Sequence, residues 1–316
     1  MIEALRQPLL VEPEYRDYVW GGQRLRLGQL TAEAWIVYEH DQVASGPLQG
    51  RTLADVAAEY RSALLGTRAF NRTGMRFPIL IKLLDCAAWL SLQVHPNDEQ
   101  ARRLEGPEQF GKTEAWHILD AAPDAEILCG LREGTTAETL AQAVRGGTLL
   151  DHMQRLNVRA GDTVFIRAGT IHALGPGLML YEVQQTSNLT YRVFDWNRPA
   201  SDGRPLHIDQ SLAVTDLKAV APVTPPPTFV DGQAATLINC EYFTLDLLTA
   251  EANSIDLVTR GESFHALTAI DGQAIIESEA GHVVINRLET ALIPAACDAY
   301  RIRPQGQTQI LKAAVA

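Results

Sequence analysis

Residues 159–177 read RAGDTVFIRAGTIHALGPG, and this stretch decides the fold that the sequence predicts. Gly161 begins a short β-rich run, a turn follows at Ala168-Gly169, and the chain then returns toward His172. A strand, a glycine-containing turn and a second strand running back are typical of antiparallel β-structure. The returning segment carries a histidine three residues after the turn, which makes His172 a candidate functional residue.

Short strand-like segments with turns between them fill most of the remaining chain. FPILIKLLD, DAEILCGL, LMLYEVQQ and FHALTAIDG have strand length and are β-rich or alternating. They predict a mainly β fold, a jelly-roll or sandwich of antiparallel strands with inserted helices. Helical spacing is confined to about 51–67, to about 135–157 with a break at Gly146-Gly147, and to a short helix opened by Asn97 or Asp98.

The proline-rich segment 221–232, APVTPPPTFVDG, is the predicted domain boundary. Proline lacks the N–H that a central strand needs, and proline-rich chain is stiff, so this segment is predicted to be a linker. The prediction is a first β domain over residues 1–220 and a smaller β domain over residues 233–316.

Composition limits the classes of partner. The chain has 316 residues, of which 46% are hydrophobic and 21% are charged, and its net charge is −11. An acidic protein is a poor partner for nucleic acid or an anionic membrane, although a local basic cluster can still bind a small anion. No apolar run is long enough to span a membrane and no signal peptide is evident, so a cytoplasmic protein is expected.

The stretch LSLQVHPND, residues 90–98, places unusual polar residues on a strand. Alternation at period two puts Ser91, Gln93 and His95 on one face and the apolar side chains on the other. Gln93 and His95 can therefore reach the same point. The sequence raises the question of why a strand with one apolar face carries an amide and an imidazole together on the other.

A metal site would explain why Gln93 and His95 share one face of this strand. Glu114, in GKTEAWHIL, supplies a carboxylate, and His172 supplies a second imidazole. Two imidazoles and a carboxylate suit Zn²⁺, and an amide oxygen can complete the shell. The neutral amide of Gln93 is the weakest of these ligands, and binding through water or holding the substrate is its alternative role. The four cysteines form no CxxC pair, which disfavours a thiolate zinc site.

Of the other histidines, His117 is left unassigned and the five without a supporting motif are interpreted as structural. His117 lies three residues past Glu114 and so faces away from it on a strand. The histidines without a supporting motif are His40, His152, His207, His265 and His282.

The segment from Gly161 to His172 resembles the second histidine motif of the cupin superfamily, with Arg167 at the position of the motif's proline. Six segments between residues 18 and 198 also resemble type I phosphomannose isomerases of the compact bacterial form. In chain order these segments are YVWGGQRL, FPILIKLLD, LSLQVHPND, GKTEAWHIL, AGTIHALGPG and YEVQQTSNLTYRVFDWNR.

This resemblance implies a cupin fold with a second cupin-like domain that lacks metal ligands. It implies interconversion of mannose 6-phosphate and fructose 6-phosphate, for which we expect a cis-enediol intermediate. One Zn²⁺ per chain would be held by Gln93, His95, Glu114 and His172.

The resemblance also implies roles around the metal. Glu182, Lys112 and a zinc-bound water are the candidates for the base, and the sequence does not choose among them. Arg192 resembles the family's active-site arginine and would hold the enediolate or the phosphate. The residues expected to bind substrate are Ser91, Lys82 and Asn188, the last standing where some relatives have aspartate.

Two other functions stay open at this point. One is a cupin isomerase that acts on another sugar phosphate, and the other is a regulator that binds a sugar phosphate without turning it over. In each case the partner is a small sugar phosphate, and the chain is expected to be a monomer or a homodimer.

Overall fold

The structure is a computed structural model that describes residues 2–199 and 204–316. Its strands are β1 (Leu9–Glu12), β2 (Glu14–Arg16), β3 (Glu33–Val37), β4 (Gln42–Val43), β5 (Ile79–Cys86), β6 (Leu92–Val94), β7 (Glu114–Ala121), β8 (Glu126–Leu131), β9 (Met153–Asn157), β10 (Thr163–Ile166), β11 (His172–Leu174), β12 (Leu178–Gln185), β13 (Tyr191–Phe194), β14 (Val223–Thr224), β15 (Gln233–Asn239), β16 (Phe243–Ala250), β17 (Ile255–Val258), β18 (His265–Asp271), β19 (Gln273–Ser278), β20 (Gly281–Asn286), β21 (Thr290–Ile293), β22 (Ala299–Pro304) and β23 (Thr308–Val315). The α-helices are α1 (Leu53–Tyr60), α2 (Ser62–Leu65), α3 (Thr67–Thr73), α4 (Asp98–Glu105), α5 (Ala137–Gly146) and α6 (Ile208–Val214).

The predicted mainly β fold with inserted helices is confirmed. Helix α4 begins after Asn97, whose side chain accepts from the N–H of Gln100 in a capping box. Helix α5 ends at the predicted break, where Gly147 adopts a left-handed φ of 76°. The predicted helix beyond this break is instead a 3-10 turn, Leu149–His152, followed by strand β9. Pairing of β9 with β8 overrides the local helical spacing.

The chain divides into two compact units. The first unit comprises Met1–Glu14, Trp35–Lys82 and Pro227–Ala316, and the second comprises Tyr15–Ala34 and Leu83–Pro226. The division at residues 226 and 227 lies inside the predicted linker. Residues 35–82, which the sequence assigned to the first domain, group with the C-terminal segment instead. One reason is that β1 pairs with both β4 and β21, which joins distant parts of the chain.

The first unit contains two antiparallel sheets. One has the strand order β15-β16-β23-β18-β21-β1-β4, and the other has the order β17-β22-β19-β20. A single apolar cluster draws side chains from both sheets, including Leu267 and Ile310 of the first sheet and Ile276 and Ile302 of the second. Burial of apolar surface between two sheets stabilises this unit.

The second unit also has two sheets. One has the order β13-β6-β11-β8-β9, and the other contains β14-β10-β7-β12 and then β5, whose residues 83–86 belong to this unit. An inner cluster that includes Trp116, Ile127 and Val164 draws on both sheets. An outer cluster packs Leu92 and Val94 of β6 with Leu140 of α5 and other apolar residues. No described helix is both long and apolar enough to cross a bilayer.

The buried histidine of the first unit predicts acid-sensitive stability. Burial lowers the pKa of His265 from 6.5 to about 3, and its Nδ1 lies 2.7 Å from the Tyr300 hydroxyl. Below pH 6.5 His265 binds a proton in the unfolded chain but stays unprotonated in the folded protein. The free energy of unfolding therefore falls as the pH drops. Between pH 7.5 and 5 the expected loss is about 2 kcal/mol from this residue.

Urea unfolding of the wild type and of His265→Gln at both pH values measures this loss. We expect the free energy of unfolding to depend less on pH in the variant, by about 2 kcal/mol over this interval. His282→Gln is the matched control, because His282 is exposed on the neighbouring β20. Equal pH dependence in wild type and His265→Gln would contradict the prediction.

Candidate metal centre and active site

The first sheet of the second unit places three polar residues side by side. Gln93 of β6 lies opposite His172 of β11, and on its other side it lies opposite Arg192 of β13. Directly opposed residues of antiparallel strands share a face, so these three side chains point the same way. The opposite face of β6 packs Leu92 and Val94 into the outer cluster. The two-faced strand predicted from LSLQVHPND is present over Leu92–Val94, and Ser91 and His95 lie just outside its two ends.

The second sheet contributes Glu114 at the start of β7. Trp116, two residues further on, shares the face of Glu114 and lies opposite Glu182 of β12. Its indole Nε1–H donates to Glu182 Oε2 over 3.0 Å, and its ring meets the ring of His172 edge-on at 5.3 Å. Trp116 thus links the carboxylate of Glu182 to the imidazole of His172.

His95, Glu114 and His172 form a candidate metal-binding cluster, which we call the ligand group. One ligand atom from each lies within 4.8 Å of the other two. His95 Nε2 is 3.6 Å from Glu114 Oε2, and His172 Nε2 is 3.3 Å from Glu114 Oε1. All three residues are buried. Two imidazoles and a carboxylate that converge in this way are a suitable donor set for a divalent metal ion.

Backbone carbonyls fix both imidazoles in the tautomer that a metal needs. His95 Nδ1 lies 2.8 Å from the Leu189 carbonyl oxygen, and His172 Nδ1 lies 2.9 Å from that of Thr170. A carbonyl only accepts, so each Nδ1 carries the hydrogen and each Nε2 has a lone pair directed at the group. Burial lowers the pKa of His172 to about 4, which keeps this imidazole neutral near pH 7.

The side-chain amide nitrogen of Gln93 lies beside the ligand group. Its Nε2 lies 3.4 Å from His172 Nε2, and its Oε1 accepts from Ser91 Oγ over 3.2 Å. An amide rotated by 180° would present the oxygen to a metal, because the two ends of the group are nearly the same size. Ser91 is buried, and its hydroxyl donates this hydrogen bond to Gln93.

Lys112 lies inside the same group. Its Nζ donates to Glu114 Oε2 over 2.7 Å and to His95 Nε2 over 3.2 Å. The side chain is 5% exposed, so this contact is an ion pair shielded from water. An ammonium held between the two ligands balances the charge of the buried carboxylate.

Arg192 presents a half-buried cation beside Gln93. Its Nε is buried without a hydrogen-bond partner, and its guanidinium makes no ion pair within the described parts of the chain. Burial, followed by the charge of Arg204, lowers the pKa of Arg192. His207 fixes its backbone, because the Arg192 N–H donates to His207 Nδ1 and the His207 N–H donates to the Arg192 carbonyl. An anionic group would satisfy this guanidinium.

The remaining predicted residues lie in different settings. Lys82 is buried in the part of β5 that belongs to the first unit, and its Nζ lies 5.2 Å from the centre of the Trp35 ring. Asn188 is exposed, one residue before the carbonyl of Leu189 that holds His95. His117 faces away from the ligand group, as predicted, and its Nδ1 lies 3.0 Å from Thr163 Oγ1.

Sequence reasoning missed the residues that support the ligands. Trp116 was detectable, because it follows Glu114 by two positions on a strand and must share its face. The carbonyls of Thr170 and Leu189 were not, because every residue has a carbonyl and only the folded loops bring these two to the imidazoles.

Comparison with known proteins places this chain in a family. Residues 9–115 match the family model for the catalytic domain of type I phosphomannose isomerase. The mannose-6-phosphate isomerase of Streptococcus mutans is 35% identical over 255 residues, which are 76% of this chain and 78% of that protein.

Solved structures of mannose 6-phosphate isomerases share the fold of this protein over almost its whole chain. The crystal structure of the mannose 6-phosphate isomerase from Bacillus subtilis is 27% identical, with a TM-score of 0.84 over 97% of this chain and 99% of that one. A zinc-bound holo mannose 6-phosphate isomerase is 17% identical and has the same fold, with a TM-score of 0.76 over 97% and 99% of the two chains. The fold class predicted from the sequence is confirmed, and the chain belongs to the type I phosphomannose isomerase family.

Proposed function

We propose that this protein is a zinc-dependent isomerase that interconverts mannose 6-phosphate and fructose 6-phosphate through a cis-enediol intermediate. The observation that carries the proposal is the ligand group, in which His95, Glu114 and His172 converge within 4.8 Å. The names of the relatives support the substrate, and the zinc-bound relative supports the metal.

The donor set fits one Zn²⁺ per chain. Two neutral imidazole lone pairs and a carboxylate oxygen give three protein ligands, the number typical of a catalytic zinc site that keeps a position open. Gln93 is the proposed fourth ligand, after rotation of its amide. When bound, zinc would polarise the sugar carbonyl and stabilise negative charge on the adjacent oxygens.

Anion binding is assigned to Arg192. A guanidinium that is half-buried and has no partner among the described residues can pair with the substrate phosphate or with an enediolate oxygen. Ser91, Lys82 and Asn188 are the further residues proposed to bind substrate. The cations among these groups would supply the local attraction for an anion that a net charge of −11 otherwise opposes.

Proton transfer between C1 and C2 is assigned to Glu182. Its carboxylate is buried beside Trp116, whose indole holds one oxygen in place. Lys112 is less suited to be the base, because its Nζ acts as a donor in both of its contacts within the ligand group. We therefore assign Lys112 to the oxygens, where an ammonium can donate and recover a proton.

Removal of the metal tests the function directly. We expect treatment with a chelator to abolish isomerisation of mannose 6-phosphate and added zinc to restore it. Activity that is indifferent to chelation would refute the proposal. A panel of sugar phosphates identifies any better substrate, and exchange of the C2 proton with solvent separates an enzyme from a protein that only binds.

Loss of the Arg192 guanidinium should lower kcat/KM for the sugar phosphate without lowering the zinc content. In Arg192→Met we expect kcat/KM to fall about 10²-fold, the usual effect of losing a charged hydrogen bond, with unchanged zinc content. Arg155→Met is the matched control, because Arg155 is an exposed arginine paired with Glu126 on the protein surface. Wild-type kcat/KM in Arg192→Met would exclude Arg192 from substrate binding.

A further inference from the structure

The backbone before Glu114 is held by side chains from two other segments. Residues 111–113 precede β7, and each of their N–H groups has a fixed acceptor. The Gly111 N–H donates to Asp98 Oδ1 over 2.7 Å, and the Thr113 N–H donates to Gln185 Oε1 over 2.9 Å. Between them the Lys112 N–H donates to the Pro96 carbonyl over 2.9 Å.

Asp98 and Gln185 are also bonded to each other. The Nε2 of Gln185 donates to Asp98 Oδ1 over 3.0 Å, so that oxygen accepts two hydrogen bonds. The backbone N–H of Gln185 donates to the Thr113 carbonyl over 3.1 Å. We call these two residues the Asp98–Gln185 pair. The pair joins the start of α4 to the end of β12 across the chain that carries Lys112.

Close packing leaves this segment little freedom to shift. A Cβ at Gly111 would lie 2.5 Å from the carbonyl carbon of Asn97, so the two backbones are in contact. Gln185 and Thr113 are each at most 5% exposed, so water does not replace their hydrogen bonds readily.

The placement of Lys112 depends on this backbone. Its Nζ lies 2.7 Å from Glu114 Oε2 and 3.2 Å from His95 Nε2, and residues 111–113 carry it there. A displacement of about 1 Å in a catalytic group can cost about 10²-fold in rate. Interactions that hold residues 111–113 therefore act on the position of the Lys112 ammonium.

We propose that Asp98 and Gln185 are positioning residues that hold Lys112 at the ligand group through the backbone of residues 111–113. The inference rests on the proposed function, because it gives Lys112 a role in turnover. Neither residue needs to touch the substrate for this role.

Four variants test the Asp98–Gln185 pair. Asp98→Ala removes the shared acceptor, and Gln185→Glu places a carboxylate against the carboxylate of Asp98. We expect each change to lower kcat about 10- to 100-fold with little change in KM and zinc content. Asp98→Asn keeps an acceptor for the Gly111 N–H and should retain most of the activity. Combined with Gln185→Glu, it removes the charge repulsion but leaves two acceptor oxygens facing each other, so it should restore part of the lost kcat.

Gln100→Ala is the matched control. It breaks the capping box of the same helix without touching residues 111–113. We expect it to lower stability and to leave kcat near wild type. Losses in Asp98→Ala and Gln185→Glu no larger than that of Gln100→Ala, or no rescue in the double variant, would overturn the proposal.

A second readout does not depend on isomerase activity. Reductive methylation of Lys112, followed by peptide mass spectrometry, reports how firmly Nζ is held in the ligand group. We expect faster methylation at Lys112 in Asp98→Ala and Gln185→Glu than in wild type or Gln100→Ala. A wild type that does not isomerise mannose 6-phosphate, together with this methylation pattern, refutes the function and supports the positioning role. Equal methylation in all four proteins refutes the positioning role.

Discussion

Glu114→Gln should yield a folded protein that loses its zinc on dialysis and has at least about 10³-fold lower isomerase activity, as expected when several kcal/mol of metal catalysis is lost. The substitution keeps the shape of the side chain and removes its charge. Glu114 lies between the two imidazoles and is the carboxylate that pairs with Lys112. Without it, the Lys112 ammonium would face a metal dication with no counter-charge, and repulsion would add to the lost ligand.

Zinc content by mass spectrometry and turnover of mannose 6-phosphate measure this result in one preparation. Glu126→Gln is the control, because it makes the same chemical change in a partly exposed pair with Arg155. Normal zinc content and turnover are expected there, since surface ion pairs contribute little. A Glu114→Gln protein that keeps one zinc per chain and full activity would show that the metal lies elsewhere.

Glu182→Gln should remove both turnover and exchange of the C2 proton, with a loss of about 10² to 10⁴-fold in kcat. The amide can still receive the hydrogen bond from Trp116 Nε1 through its oxygen, so the fold around the site is preserved. It cannot accept the substrate proton. Zinc content should stay at the wild-type level, because Glu182 is not part of the ligand group.

Lys112→Met separates the two proton-transfer roles. If Lys112 serves the sugar oxygens, this variant should still exchange the C2 proton with solvent while forming ketose slowly. Proton exchange is followed by NMR in deuterated water, and ketose formation by a coupled assay. Near-wild-type turnover in Glu182→Gln would remove Glu182 as the base, and loss of exchange in Lys112→Met alone would assign the base to Lys112.

Local sequence predicted which face each of these side chains occupies, because side-chain direction on a strand is a local property. Alternation in LSLQVHPND put Gln93 and His95 on one face, and the turn before His172 placed a second histidine at the start of a returning strand. The same rule predicted that His117 faces away from Glu114. The motifs of the family then identified these residues as a set.

Contacts between distant segments decided the rest. The ladder register that sets Arg192 and His172 on either side of Gln93 depends on other segments of the chain. The same holds for the Leu189 carbonyl that fixes His95 and for the contact of Lys112 with His95. The grouping of residues 35–82 with the C-terminal segment depends on such contacts too. Periodicity fixes the face that a side chain occupies, because it follows from one strand's geometry. Which strand lies beside it, and in which register, depends on packing between segments far apart in the chain.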